Sequence, residues 1–131
     1  MQKSTRFTAN EIKKAAHKAV ILYEAEPPRL RKATLYERDG YDLISKKKRE
    51  ERHIEVKGTT KNRFTWRYLT ENEFQALIKD PKFYLYLVTR VGRKPMIEEM
   101  SRNDVLARYL KTEVLHIITF PKKLEAEADE V

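Results

Sequence analysis

Gly40-Tyr41-Asp42-Leu43-Ile44-Ser45 and Arg52-His53-Ile54-Glu55-Val56-Lys57-Gly58, separated by a charged run over 46–51, decide how this chain folds. The pair reads as a β-hairpin. Side chains on a strand alternate between faces with a period of two. Glu55 and Lys57 therefore share one face, while Ile54 and Val56 point to the opposite, core side. That apolar face marks the second strand as an interior one. Gly58, directly after Lys57, leaves room for a backbone or a ligand to approach. With the turn centred between Lys48 and Arg49, Asp42 falls opposite Glu55, and a slip of one residue would separate them.

On the N-terminal side, Asn10 is expected to cap a helix whose apolar positions are Ile12, Ala15, Ala16, Ala19, Leu22 and Tyr23, ended by Pro27-Pro28. Ala33–Tyr36 is a short strand and Asp39-Gly40 a turn. Beyond the hairpin, Phe64–Leu69 alternates, with Phe64, Trp66 and Tyr68 on a common face that suits the core. Thr70-Glu71-Asn72-Glu73 is a capping box that starts a helix carrying Phe74, Leu77 and Ile78 inward, closed by Asp80-Pro81. Phe83–Val91 is nearly continuous in aromatic and β-branched residues, as in a buried central strand. Gly92–Pro95 turns into a short strand, Met96–Met100. Ser101 caps a helix through Leu110, and Val114–Phe120 is a last strand before Pro121. The order predicts an α/β sandwich around one mixed sheet.

The 131 residues suit one domain, and we place it at 1–124, followed by an acidic tail, 125–131, expected to be disordered. The net charge is +8, and without the four acids Glu125, Glu127, Asp129 and Glu130 it is +12. A basic body favours polyanions such as nucleic acid through counterion release. The absence of cysteine excludes a disulfide framework, a thiolate zinc site and a cysteine nucleophile. No apolar run suits a membrane span, and the N-terminus lacks the apolar core of a signal peptide, so a cytoplasmic setting is expected. No Gly-rich phosphate loop or serine-nucleophile arrangement is present.

Two carboxylates brought together repel and need positive charge between them. Mg²⁺ meets that need with hard oxygen ligands and retained waters, and the Val56 backbone carbonyl can supply a further oxygen. Such an ion polarises a phosphate and acidifies a bound water. Lys57 can orient that water or neutralise charge building on the phosphate. A metal-dependent nuclease is therefore the leading reading. The plainer reading stays open, since Asp, Glu and Lys on a hairpin also arise as cross-strand charge pairs on a solvated face.

Four blocks in order, Gly40–Asp42, Ile54–Gly58, Leu69–Glu73 and Tyr84–Val88, resemble the No Vein C-terminal-like domain over about residues 10 to 100. That family is similar to the PD-(D/E)XK, or restriction-endonuclease-like, nuclease superfamily. The resemblance implies a mixed sheet flanked by helices with an αβββαβ core. It implies Asp42 as the motif aspartate, Glu55 as the second metal ligand and Lys57 as the catalytic lysine. The cofactor would be Mg²⁺ or Mn²⁺, and the substrate nucleic acid, DNA foremost, in repair, recombination or defence. Tyr41 stands where the superfamily name has proline. Members are usually appended to helicase-like or defence proteins, and some relatives of the fold bind without cutting. A non-catalytic nucleic-acid-binding module is accordingly the second reading, and an accessory domain that meets an acidic protein the third.

Many superfamily members add an acid from the first helix. Glu11 and Glu24 are the candidates, on opposite edges of the apolar stripe, so at most one reaches the metal. Glu11 matches the family pattern, yet it also complements the helix dipole. Glu73 is explained by the cap alone. Lys46, Lys47, Lys48 and Arg49 at the hairpin tip are expected to track phosphates, with Lys61, Arg63 and Arg67 near Trp66, where a base can stack. The three histidines lack ligand spacing, and His53 shares a face with Glu55 at the border of the site. A homodimer is a further expectation, because cutting both strands often needs two sites.

Overall fold

The computed structural model describes residues 6–111 and 116–120. Helix α1, Ala9–Ala25, is capped two residues earlier than at Asn10, because Thr8-Ala9-Asn10-Glu11 is itself a capping box. The Thr8 hydroxyl accepts the Glu11 N–H at 3.1 Å, and the Glu11 carboxylate accepts the Thr8 N–H at 2.8 Å. Two antiparallel strands follow, β1 (Lys32–Arg38) and β2 (Tyr41–Lys47), joined at Asp39-Gly40, where both residues have positive φ. Strand β3 (Glu50–Gly58) returns after the turn Lys48-Arg49. Lys47 pairs with Glu50 and Leu43 with Ile54, the register expected.

After β4 (Trp66–Leu69), helix α2 (Glu71–Lys79) carries the chain over to β5 (Phe83–Thr89), which lies parallel to β3. A parallel pair needs such a crossover. Strand β6 (Met96–Ser101) completes a five-stranded mixed sheet of order β1-β2-β3-β5-β6. Helix α3 (Arg102–Ala107) leads to β7 (Tyr109–Lys111), and β8 is His116–Thr119. Strands β4, β8 and β7 form a second, antiparallel sheet. The single sheet expected is thus two, because β2 and β5 occupy both flanks of β3 and β4 pairs elsewhere.

The central sheet is buried on both faces. Against α1 lie Leu43, Ile54, Val56, Tyr86 and Val88, which meet Ala16 and Val20. The opposite face carries Phe83, Leu85, Leu87 and Met100 against Leu77 of α2, Val105 of α3 and Ile118 of β8. Each such large side chain contributes about 1.5–3 kcal/mol on burial. Gly58 serves this packing: a Cβ there would lie 2.8 Å from the Cβ of Ala16, so the open space after Lys57 admits α1, not a ligand.

Several expectations shift at the edges. Ala15 and Leu22 face solvent, while His17 and Glu24 are buried on the inner face of α1. Tyr68 and Ile78 are exposed, so neither belongs to the core, and the side chain of Trp66 lies outside the described residues. Helix α3 ends at Ala107, short of Leu110, because Tyr109 is drawn into pairing with Ile118. The start of the last strand at Val114 and the tail 125–131 also lie outside the described residues, so the boundary at 124 does too. Among the described residues no helix is long and apolar enough to cross a membrane.

Candidate active site

The site forms where β2 and β3 part. Their paired register stops at Leu43 and Ile54. One step on, Asp42 turns its carboxylate into the gap, and Oδ2 accepts the Val56 N–H at 2.9 Å. A side chain thereby replaces the missing ladder partner, which satisfies a buried donor. His17, on α1, brings Nε2 to 3.3 Å from the same oxygen, in ion-pair range but outside hydrogen-bond geometry, and its Nδ1 lies 3.7 Å from Glu37.

Glu55 sits on the β3 face opposite Ile54 and is 3% exposed. Lys57, two residues along on the same face, brings Nζ to 3.3 Å from Glu55 Oε2. The same ammonium donates to Glu73 Oε1 at 2.9 Å. Glu73 is the third helical residue of α2, and its Oε1 also accepts the Thr70 N–H at 2.9 Å. The Tyr68 ring lies over the lysine, its centroid 5.9 Å from Nζ. A cleft of about 200 Å³ opens onto this group. It is lined by Asp42, Glu55 and Glu73, by Lys13 of α1, by the β1–β2 turn from Glu37 to Tyr41, and by Thr70 and Asn72.

Electrostatics follow from the crowding. Burial pushes the Glu55 carboxyl well above its usual range, and the charges of Asp42 and Glu73 push it further, against the pull of Lys57. Burial alone would favour neutral Lys57, but Glu55 and Glu73 outweigh it and hold the ammonium charged, above the usual lysine value. Burial works against the Asp42 carboxylate too, yet the His17 ring, the Val56 N–H and the Lys13 charge together hold it below its usual value. Glu55 and Glu73 share one lysine, and Asp42 acts on Glu55 from the other side, so the group holds more carboxylates than ammonium charge, an excess that a cation would relieve. Asp42 and Glu55 offer hard oxygen donors of the kind Mg²⁺ and Mn²⁺ take. Among the described residues no group of three or more His, Asp or Glu side chains is arranged to hold a metal ion. The protein's share of the coordination would be those two carboxylates, with the remaining positions left to water and substrate oxygens.

The other expected residues lie elsewhere. Glu11 is exposed, bound to its own cap, and does not line the cleft. Glu24 is fully buried and held by the Ser45 hydroxyl at 2.7 Å, the Tyr86 hydroxyl at 3.0 Å and Arg31 at 3.4 Å. Lys46, Lys47, Lys48 and Arg49 are at the far end of the hairpin, roughly 13–20 Å from Asp42 along the strand at about 3.3 Å per residue. Lys46 pairs there with Glu51, and Lys47 donates to the Pro28 carbonyl. Arg63 donates to the Phe120 carbonyl beside a separate, mostly apolar cleft. Lys61 is exposed, and Arg67 stands close enough to Lys57 to oppose its charge. His53 stacks on Tyr41 at 4.4 Å, its nitrogens facing Asp80 and Glu51, and lines a neighbouring groove that shares Asp39, Tyr41 and Asn72 with the cleft. Val56 meets Asp42 through its N–H.

Residue-by-residue reading did not find Lys13, Arg38, His17 or Glu73 at the site. Glu73 had a sequence signal, but its cap accounted for it fully. The spacing of His17 with Val20 and Glu24 on one helical stripe is the trace that could have flagged the histidine as buried.

A family model described as "Protein NO VEIN, C-terminal" matches residues 12–100. No curated protein matches the sequence at a significant level. Among solved structures, the chain is similar to Hjc from Archaeoglobus fulgidus, a Holliday junction resolvase from an archaeal hyperthermophile. The TM-score is 0.55 at 14% identity, covering 81% of this chain and 87% of that one. The likeness is one of fold, and that fold is the restriction-endonuclease-like one.

Proposed function

This chain belongs to the family of the C-terminal domain of protein NO VEIN, and from that premise we propose that it is a divalent-metal-dependent nuclease hydrolysing phosphodiesters in nucleic acid, DNA foremost. One observation carries the reading. Asp42 and Glu55, from adjacent strands, open onto a single cleft with the ammonium of Lys57 3.3 Å from Glu55. A cross-strand charge pair on a solvated face would not bury all three side chains, yet all three are buried. Burying Asp42 and Glu55 beside a single lysine, Lys57, which Glu73 also shares, is costly, and such clusters of buried, perturbed charges mark functional sites.

Asp42 and Glu55 are the residues that would hold Mg²⁺ or Mn²⁺. When bound, the ion supplies Lewis acidity toward a phosphate oxygen and an acidified water. The rest is the work of the chain itself. The Lys57 ammonium lies beside the same cleft, where it can donate to a non-bridging phosphate oxygen and offset charge as it builds. Lys13 and Arg38 stand on the rim, where they can hold flanking phosphates. The Asp42–Val56 hydrogen bond fixes the carboxylate relative to β3 before any ligand arrives.

The test is cleavage with and without Mg²⁺ across linear duplex, single-stranded, RNA and four-way-junction substrates. The junction earns its place because the structural neighbour is a junction resolvase. Asp42→Ala and Lys57→Ala are each expected to abolish cutting while circular dichroism shows a retained fold. Cutting that persists in both variants overturns the assignment. Salt-dependent binding that survives EDTA, with no cutting by the unmodified chain, would instead make this a binding module on a nuclease fold.

A further inference from the structure

Glu73 has more chemistry than its cap requires. A capping box needs an acceptor at the third helical position, and glutamine serves as well as glutamate there. In this chain a single oxygen of Glu73 accepts two donors, the Thr70 N–H at 2.9 Å and the Lys57 ammonium at 2.9 Å. Only the second of these needs a full negative charge. The helix that carries Glu73 is itself firmly seated. Leu77 and Ala76 are buried in the core. The Asn72 carbonyl lies hard against Gly40, where any Cβ would collide with it. Arg102 Nε donates to the Leu77 carbonyl at the other end of the helix at 2.7 Å.

Lys57 is thus shared between two carboxylates, and the one at 2.9 Å, Glu73, is closer than Glu55 at 3.3 Å. We infer that Glu73 is a positioning residue for Lys57: it takes the ammonium's shorter hydrogen bond and holds it beside the cleft, so that the Glu55 carboxylate, 3.3 Å away, stays more open to a divalent cation. The inference deepens the proposed nuclease reading and rests on it for the identity of the cation. Without Glu73, Lys57 keeps Glu55 as its acidic neighbour, and lysine and metal compete for one carboxylate.

Glu73→Gln separates this role from the cap, since the amide oxygen still accepts the Thr70 N–H. Two readouts are needed. The first is the ¹⁵N-detected ammonium resonance of Lys57 in the metal-free protein, which a hydrogen-bonded, buried ammonium shields from solvent exchange. It should be present in the unmodified chain and in Thr70→Ala, which removes the cap but keeps the carboxylate, and lost in Glu73→Gln. The second is calorimetric Mg²⁺ binding, with Mg²⁺ alone as the probe. Affinity should fall about tenfold in Glu73→Gln, on the scale of one charge-assisted hydrogen bond. In a Lys57→Met background the same substitution should cost far less, because no lysine remains to be diverted. A Lys57 resonance unchanged by Glu73→Gln overturns the inference. An equal loss of Mg²⁺ affinity with and without Lys57 also overturns it, because Glu73 would then act on the ion directly. If the unmodified chain binds no Mg²⁺ but Glu73→Gln still erases the resonance, the clamp stands and the nuclease reading falls.

Discussion

Glu55 concentrates the electrostatic conflict of the cleft. Burial raises its carboxyl, and Asp42 and Glu73 add to the effect. The folded protein therefore binds the Glu55 proton more tightly than the unfolded chain does. Stability falls as pH rises from near the ordinary 4.5 through the raised folded value, because over that interval the native state holds more protons. Replacing the group removes the penalty. Glu55→Gln is expected to raise the melting temperature of the metal-free protein at neutral pH, with the gain shrinking toward zero as pH approaches 4.5. Thermal melts across pH check this, and a variant that is less stable at every pH would refute it. Asp42 behaves in the opposite sense. Its lowered carboxyl contributes stability that is present above the ordinary 3.8 and lost as pH falls through the folded value, so Asp42→Asn should destabilise at neutral pH.

Among the elements, α1 and α2 place the site on the sheet, and each does so through a close approach. Ala16 of α1 rests on Gly58 at the end of β3, with no room for a methyl group between them. Gly58→Ala should push α1 outward and cost about 1–3 kcal/mol, as overpacked cores do. Because His17 is the next residue of that helix and faces Asp42, the same substitution should also disturb the Asp42 carboxylate. Denaturant melts measure the first effect, and the NMR-detected titration of Asp42 measures the second. Unchanged stability would mean that the helix slides at no cost and does not fix the site. For α2, the capping box does double duty, since the geometry that starts the helix also aims Glu73 at Lys57.

At the scale of the molecule, basic residues stand in two places, the hairpin tip where the sequence puts Lys46–Arg49 and the rim of the cleft. The hairpin tip holds the densest run of lysines, but it lies at the far end of β2 and β3 from the carboxylates. Lys13 and Arg38, far apart in sequence, border the cleft instead. On the proposed function, Lys13→Glu and Arg38→Glu should each weaken nucleic-acid binding and reduce the slope of log K against log salt by about one. Lys48→Glu and Arg49→Glu should leave that slope nearly unchanged. Titrations at several salt concentrations decide it, and a larger effect at the tip would move the binding face away from the cleft.

Local chemistry made much of this protein legible before any coordinates. Period-two alternation identified β3, and the run of apolar residues identified β5 as buried. The Thr70–Glu73 box located α2, and a two-residue turn at Lys48-Arg49 set the β2–β3 register that pairs Leu43 with Ile54. These features depend on near neighbours along the chain, so the sequence contains them outright. Folding in three dimensions decided the remainder: that β4 and β8 leave the main sheet, that α1 and not a ligand fills the space over Gly58, that His17 meets Asp42, and that the cap residue Glu73 reaches Lys57. Each joins side chains from separate elements, and the distance between such groups is set by how helices pack on a sheet, a quantity that no local pattern encodes.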